Sequence, residues 1–220
     1  MPTILSHTAI PLALGLGLGT RVIPPRLLIA GIVASIIPDL DVLAFRLHIP
    51  YADNFGHRGA SHSLLFALIL ATISALFSRQ LITKPLTAFW FIAVSAASHG
   101  ILDTFTNGGL GVALMWPFSG ERYFTPWRVI EVSPLSLQRI LSPRGIQVLQ
   151  SELFWIWLPA LALFILLFAI RKILVRHQRK INRVKHFTLS VTDNRRSHHD
   201  DRHAHTSTAM PMRRGSGPRR

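Results

Sequence analysis

The chain has 220 residues, 49% of them hydrophobic and only 15% charged, and it contains no cysteine. Its net charge of +14 is gathered at one end: the stretch from Arg171 onward holds fourteen Lys/Arg against three acids, and residues 1–170 hold ten against seven. This excludes disulfide frameworks and thiolate metal sites, and it describes an apolar body with a basic arm rather than a basic globular fold.

Five apolar stretches follow one another: Ile4–Gly19, Leu27–Ile37, His62–Phe77, Leu86–Leu102 and Leu153–Ile170. A bilayer crossing needs about 20 residues, with roughly 17 the practical minimum. The last two qualify and the third nearly does. The first two are short, and the second is expected to be a buried or partial span. Five such stretches in a small chain predict an all-α, polytopic membrane bundle of about five helices. The first basic residue is Arg21, so no basic region precedes the opening apolar stretch as a secretory signal requires. That stretch is expected to be retained as a membrane helix. Its Gly15, Gly17 and Gly19 follow no strand, so they read as small residues for close helix packing and not as a dinucleotide fingerprint.

Residues 1–175 are expected to form the membrane-embedded domain, and residues 176–220 a disordered, basic, cytoplasmic tail. His198, His199, His203 and His205 in that tail read as part of a solvated arm. Anionic lipid headgroups are the contact its charge predicts; no specific nucleic-acid binding is expected. The positive-inside rule orients the rest. With the tail cytoplasmic, so are the Arg79–Lys84 and Arg21–Arg26 connections, and the N-terminus lies outside. The outer segment Thr104–Glu152 carries Arg122, Arg128, Arg139 and Arg144, which weaken the rule slightly, since long loops count less in it. Trp116, Phe118, Tyr123, Phe124 and Trp127 give this segment an interfacial character.

This threading places seven ionisable residues on one face: His7, Asp39, Asp41, His57, His62, His99 and Asp103. Ionisable side chains beside lipid are costly and tend to be paired, coordinated or functional. Imidazole with carboxylate is a ligand set for zinc, manganese and non-haem iron. In Ile37-Pro38-Asp39-Leu40-Asp41, Pro38 biases its predecessor away from helix, so the helix is expected to end there. On a continued α-helix the two aspartates would diverge by about 200°; in a turn both reach one cation. In His57-Arg58-Gly59-Ala60-Ser61-His62-Ser63, Ser61 is the expected N-cap, with His62 in the first helical turn. Arg58 offers a planar donor fork for an anionic substrate, or else a salt bridge to an aspartate. This segment lacks the final glycine of a nucleophile elbow. In Ser98-His99-Gly100-Ile101-Leu102-Asp103, His99 and Asp103 at i, i+4 share a helix face. They bind one ion together, or one orients the other.

At these residues the chain resembles the YdjM-like family of inner-membrane-associated, metal-dependent hydrolases. The similarity runs from Ser6-His7 through the three motifs above to Trp116-Pro117-Phe118-Ser119, over about residues 1–130. The resemblance implies a bacterial or archaeal hydrolase of the inner (plasma) membrane, and it supplies no substrate. The combined expectation is a multi-pass enzyme with one or two divalent ions, zinc or manganese, held by the seven residues. Arg58 would be catalytic, and the substrate a phosphoester or lipid-linked molecule at the extracytoplasmic interface. A metal or proton transporter and a non-catalytic scaffold are the alternatives.

Overall fold

The computed structural model describes residues 2–133, 142–179 and 182. They form five apolar helices: α1 Ile4–Leu18, α2 Pro25–Arg46, α3 Leu64–Leu76, α4 Pro85–Thr104 and α5 Pro143–Arg179. Three of them begin with proline, where the missing N–H removes no helical hydrogen bond and the fixed φ suits the first turn. No strand forms among the described residues. Residues 105–133 are irregular apart from two isolated bridges, Thr106 with Ile130 and Val112 with Tyr123. The protein is therefore all-α and helical through its apolar stretches, as its composition predicts.

The boundaries differ from expectation in physically informative ways. Helix α1 breaks at Thr8, between Ile4–His7 and Ala9–Leu18. Pro11 explains this, because it offers no N–H to the His7 carbonyl four residues back and its ring crowds that oxygen. The α-helical part of α2 ends at Ile36, next to Pro38 as expected, but the chain does not unwind there. Ile37 keeps helical angles, and the chain tightens into a 3₁₀ segment, Ile37–Val42, with Pro38 in its first turn, before one more α-turn at Leu43–Arg46. The second stretch thus extends to 22 residues, long enough to cross a membrane, as are α4 with 20 and α5 with 37. Helix α3 is shorter than predicted. It starts at Leu64, and Ser63 is its N-cap, accepting the Phe66 N–H at 3.1 Å. Helix α5 begins at Pro143, well before Leu153, capped by Ser142.

Helix α4 packs against both α2 and α3. The shared core is rich in small residues: Ala34, Ala67, Ala71, Ala88, Ala93 and Ala96, filled out by Leu27, Phe91 and Ile92. Small side chains let helices approach closely where lipid supplies no hydrophobic drive for association. Gly15 against Leu28 and Gly17 against Leu167 extend this pattern to α1. Large apolar side chains instead point outward, among them Leu5, Ile29, Ile73, Leu76, Leu86, Trp90 and Phe154. That inversion of the water-soluble pattern fits a lipid-facing surface. By contact the chain divides into two compact units, Met1–Arg171 and Lys172–Arg220. Every residue of the site below lies in the first. In the second, the described residues are the end of α5, mostly exposed, and residue 182. The tail histidines lie outside the described residues.

Candidate metal centre

Four helices deliver their polar ends to one place. His7 stands at the break near the start of α1, Asp39 and Asp41 in the 3₁₀ segment of α2, His62 in a 3₁₀ turn, Ala60–His62, just before α3, and His99 and Asp103 near the end of α4. Two close approaches make this convergence possible. Gly100 packs on the backbone of the Ala60–His62 turn, where a Cβ would overlap the His62 carbonyl. Gly31 accepts the ring of Phe91 where a Cβ would overlap it, drawing α2 against α4. A larger residue at position 100 would push the His62 turn away from His99, and one at position 31 would displace the Phe91 ring.

Asp39, His62, His99 and Asp103 each present a ligand atom to a common point, all within 4.8 Å of one another and all buried. Nε2 of His62 lies 3.0 Å from Nε2 of His99. Asp39 Oδ1 is 3.3 Å from His99 Nε2, and Asp103 Oδ2 is 3.4 Å from His62 Nε2. The outer nitrogens set the tautomers. His99 Nδ1 donates to the Ser35 carbonyl at 2.7 Å, and His62 Nδ1 faces Asp41 Oδ2 at 3.0 Å. A ring that donates through Nδ1 offers a lone pair at Nε2. With both rings neutral, two lone pairs would face each other across 3.0 Å, flanked by two carboxylates, so a proton on His62 or a metal ion must lie between them.

Such an arrangement repels itself unless something positive lies between its members. Both oxygens of Asp39 and both ring nitrogens of His7 are buried without a hydrogen-bond partner, and Asp103 is buried with an Arg58 ion pair at 3.1 Å. Buried, unpartnered carboxylates cost several kcal/mol. Two imidazole nitrogens and two carboxylates form an established set for a divalent cation, and each histidine donates its other nitrogen to an oxygen, as ligating histidines do. The residues present fit a metal ion.

The seven residues named from sequence do not play one part. Asp39, His62, His99 and Asp103 form the cluster. His7 stacks on His99 with ring centroids 3.6 Å apart, and its Nε2 lies 3.7 Å from Asp103 and 3.9 Å from Asp39. Asp41 and His57 stand on the far side of His62. In the 3₁₀ turn the two aspartates bracket one imidazole, Asp39 facing Nε2 and Asp41 facing Nδ1. Asp41 also accepts the Arg58 backbone N–H at 2.9 Å and the Ser61 hydroxyl at 2.6 Å, and it pairs with His57 Nδ1. Ser61 is therefore tied to Asp41 and is not the α3 cap. Burial works against charge on His62, but Asp103 and Asp41, which accept from its ring N–H groups, outweigh it and raise its pKa to about 9 in the absence of a cation.

Arg58 is 1% exposed and has a left-handed backbone, φ 61°. Its Nε lies 3.1 Å from Asp103 Oδ2, and Nη1 donates to Thr106 Oγ1 at 3.0 Å and to the Gly108 carbonyl at 2.9 Å. The salt bridge anticipated as its alternative role is formed, with Asp103. Arg58 also lines a cleft of about 130 Å³ with Phe45, Tyr51, His57, Gly108 and Gly109.

Sequence reasoning did not single out three supporting groups. Arg122 donates to the carbonyls of Tyr51, Asp53 and His57, at 2.9, 2.9 and 3.0 Å, so its charge fastens the loop that carries His57 and Arg58. Thr106 orients Arg58. Glu152, 2% exposed at the start of the lipid-facing part of α5, accepts the hydroxyls of Thr3 and Ser6, each at 2.7 Å, and the Thr3 N–H. It anchors the turn bearing His7. A buried carboxylate beside an apolar run was the available signal for Glu152; no local pattern marks Thr106.

Comparison with known proteins agrees with the membrane character of these helices. The YdjM inner membrane protein family matches over residues 1–175. Inner membrane protein YbcI of Escherichia coli (strain K12) is 49% identical over 164 residues, covering 74% of this chain and 95% of that protein. No solved structure matches. A family match over three quarters of the length, on a chain whose described residues form five apolar helices, identifies it as a membrane protein of the YdjM family.

Proposed function

We propose that this protein is a membrane-bound, metal-dependent hydrolase acting on a phosphoester or lipid-linked substrate at the extracytoplasmic interface. One observation carries the reading: the Nε2 atoms of two histidines and two carboxylates, that of Asp39 without a hydrogen-bond partner, converge in a buried site. The nitrogen and oxygen donors favour zinc or manganese, one ion in the four-residue cluster, with His7 at the edge of any second position. Bound there, the ion supplies Lewis acidity for hydrolysis.

The chain's own residues supply the rest. Asp41 and the Ser35 carbonyl hold His62 and His99 in the ligating tautomer. Arg58 brings a fixed positive charge to the wall of the cleft, where it attracts an anionic group and stabilises charge that develops on it. His57 lines the same cleft with Nδ1 engaged by Asp41, which leaves Nε2 to exchange a proton with a bound substrate.

Orientation rests on charge. The Arg21–Arg26 and Arg79–Lys84 connections lie at the helix ends opposite the cluster, which the positive-inside rule assigns to the cytoplasm. The C-terminus follows them, and the basic tail meets anionic lipid. Transport is less well supported. Between the cluster and those connections lies the Ala-rich core, and the nearby Ser35, Ser95 and Ser98 hydroxyls are tied to helix carbonyls.

The test is Arg58→Ala beside wild type, with metal content and hydrolysis of phosphodiester and lipid-phosphate substrates measured together. Retained metal with lost turnover is expected, because one oriented donor is typically worth about 10²–10³ in rate. A metal-loaded wild type that cleaves nothing in a broad panel but carries metal across vesicles overturns the reading.

A further inference from the structure

An apolar groove of about 440 Å³ lies beside the centre, lined by Leu102, Phe105, Trp127, Val129, Ile130 and Trp155. Its wall is shared with the site. Leu102 precedes Asp103 of the cluster. Phe105 precedes Thr106, whose hydroxyl accepts from Arg58 and whose backbone bridges to Ile130. The segment that holds the Arg58 guanidinium therefore also forms one side of the groove. Toward the outside, Trp127 and Trp155 are 75% and 55% exposed, and Ile101, Leu153 and Phe154 beside them on α4 and α5 are exposed as well. The groove is thus continuous with the lipid-facing surface of an inner membrane protein, and its rim carries the tryptophans that favour the headgroup level.

We infer that this groove holds the hydrocarbon chain of the substrate, which makes the substrate a membrane amphiphile with an anionic phosphate headgroup. This rests on the hydrolase reading above and narrows it. The volume lies within the range of sites that enclose a small ligand, and the polar groups of its lining side chains are confined to the indole N–H of Trp127 and Trp155. The lining is as apolar as lipid, so entering it from a bilayer gains a chain little by itself. Selectivity must then come from the headgroup. A phosphate engaged at Arg58, beyond the Phe105–Thr106 segment that walls the groove, holds its own chain in the groove, whereas a lipid with no such engagement visits the groove only as a passing neighbour.

The experiment uses the full chain in phosphatidylcholine nanodiscs and reads tryptophan fluorescence. Brominated acyl chains, which quench on contact, are introduced either on phosphatidic acid or on phosphatidylcholine at the same mole fraction. Trp127→Phe and Trp155→Phe variants identify which part of the quenching belongs to the groove. Phosphatidic acid should quench the groove tryptophans at about tenfold lower mole fraction, the preference that one charge-assisted hydrogen bond provides. Val129→Phe, which narrows the groove, should abolish that preference while leaving bound metal unchanged. Equal quenching by the two headgroups means ordinary boundary lipid and overturns the proposal. So does a preference that persists when both groove tryptophans are replaced. Selective quenching without hydrolysis of any lipid phosphate would leave the chain site standing and sink the hydrolase reading instead.

Discussion

Asp41→Asn tests whether the cluster is organised from behind. The Asp41 carboxylate touches no atom of the shared ligand point, yet it accepts from Arg58 N–H, Ser61 and His57 and holds His62 Nδ1 at 3.0 Å. Asparagine keeps the volume, and its carbonyl oxygen replaces one acceptor. Its NH₂ group must then face either His57 or His62. If it donates to His62 Nδ1, the ring proton moves to Nε2 and points into the centre, where it blocks ligation. Loss of such an orienting carboxylate typically costs 10–100-fold in metal affinity, about 1.4–2.7 kcal/mol. His62→Ala, which removes a donor outright, should cost more. The assay is competition with a chelator of known affinity on purified, monodisperse protein, with wild type, Asp41→Asn and His62→Ala run in parallel. Unchanged affinity in Asp41→Asn would refute the tautomer argument. A loss as large as that of His62→Ala would make Asp41 a ligand itself.

Gly100→Ala should lower thermal stability by about 1–3 kcal/mol and reduce metal content, since its methyl group would displace the Ala60–His62 turn; a fully loaded variant of normal stability would contradict the packing account. Metal uptake at neutral pH should release a proton, because His62 is charged below about 9 in the apo site and must be neutral to ligate. Affinity should accordingly climb with pH and level off above that value, and pH-independent loading in a weakly buffered indicator assay would exclude it. A reporter placed after Arg220 should score cytoplasmic and one inserted at Gly109 extracytoplasmic. Both on the same side would remove the basis for an outward-facing site.

Helix number, membrane character and the identity of the clustered polar residues were legible in the sequence because each depends on local chemistry. Length and hydropathy decide whether a segment suits lipid, and ionisable residues at its ends are conspicuous against that background. The i, i+4 spacing of His99 and Asp103 brought both to one point as expected. What the sequence could not decide was how the ligand set divides. Asp39 and Asp41 are equivalent in any linear reading. Only the 3₁₀ path through Pro38 puts one on each side of His62, so that one faces the centre and the other fixes a tautomer. Arg58 as partner of Asp103, Arg122 as the clasp of its loop and Glu152 as the anchor of α1 all join residues far apart in the chain. The cluster itself depends on the close approach of α4 to α2 and to the turn before α3, where Gly31 and Gly100 carry no side chain. Local sequence determined which groups stand at the helix ends; the packing of those helices decided which of them face one another.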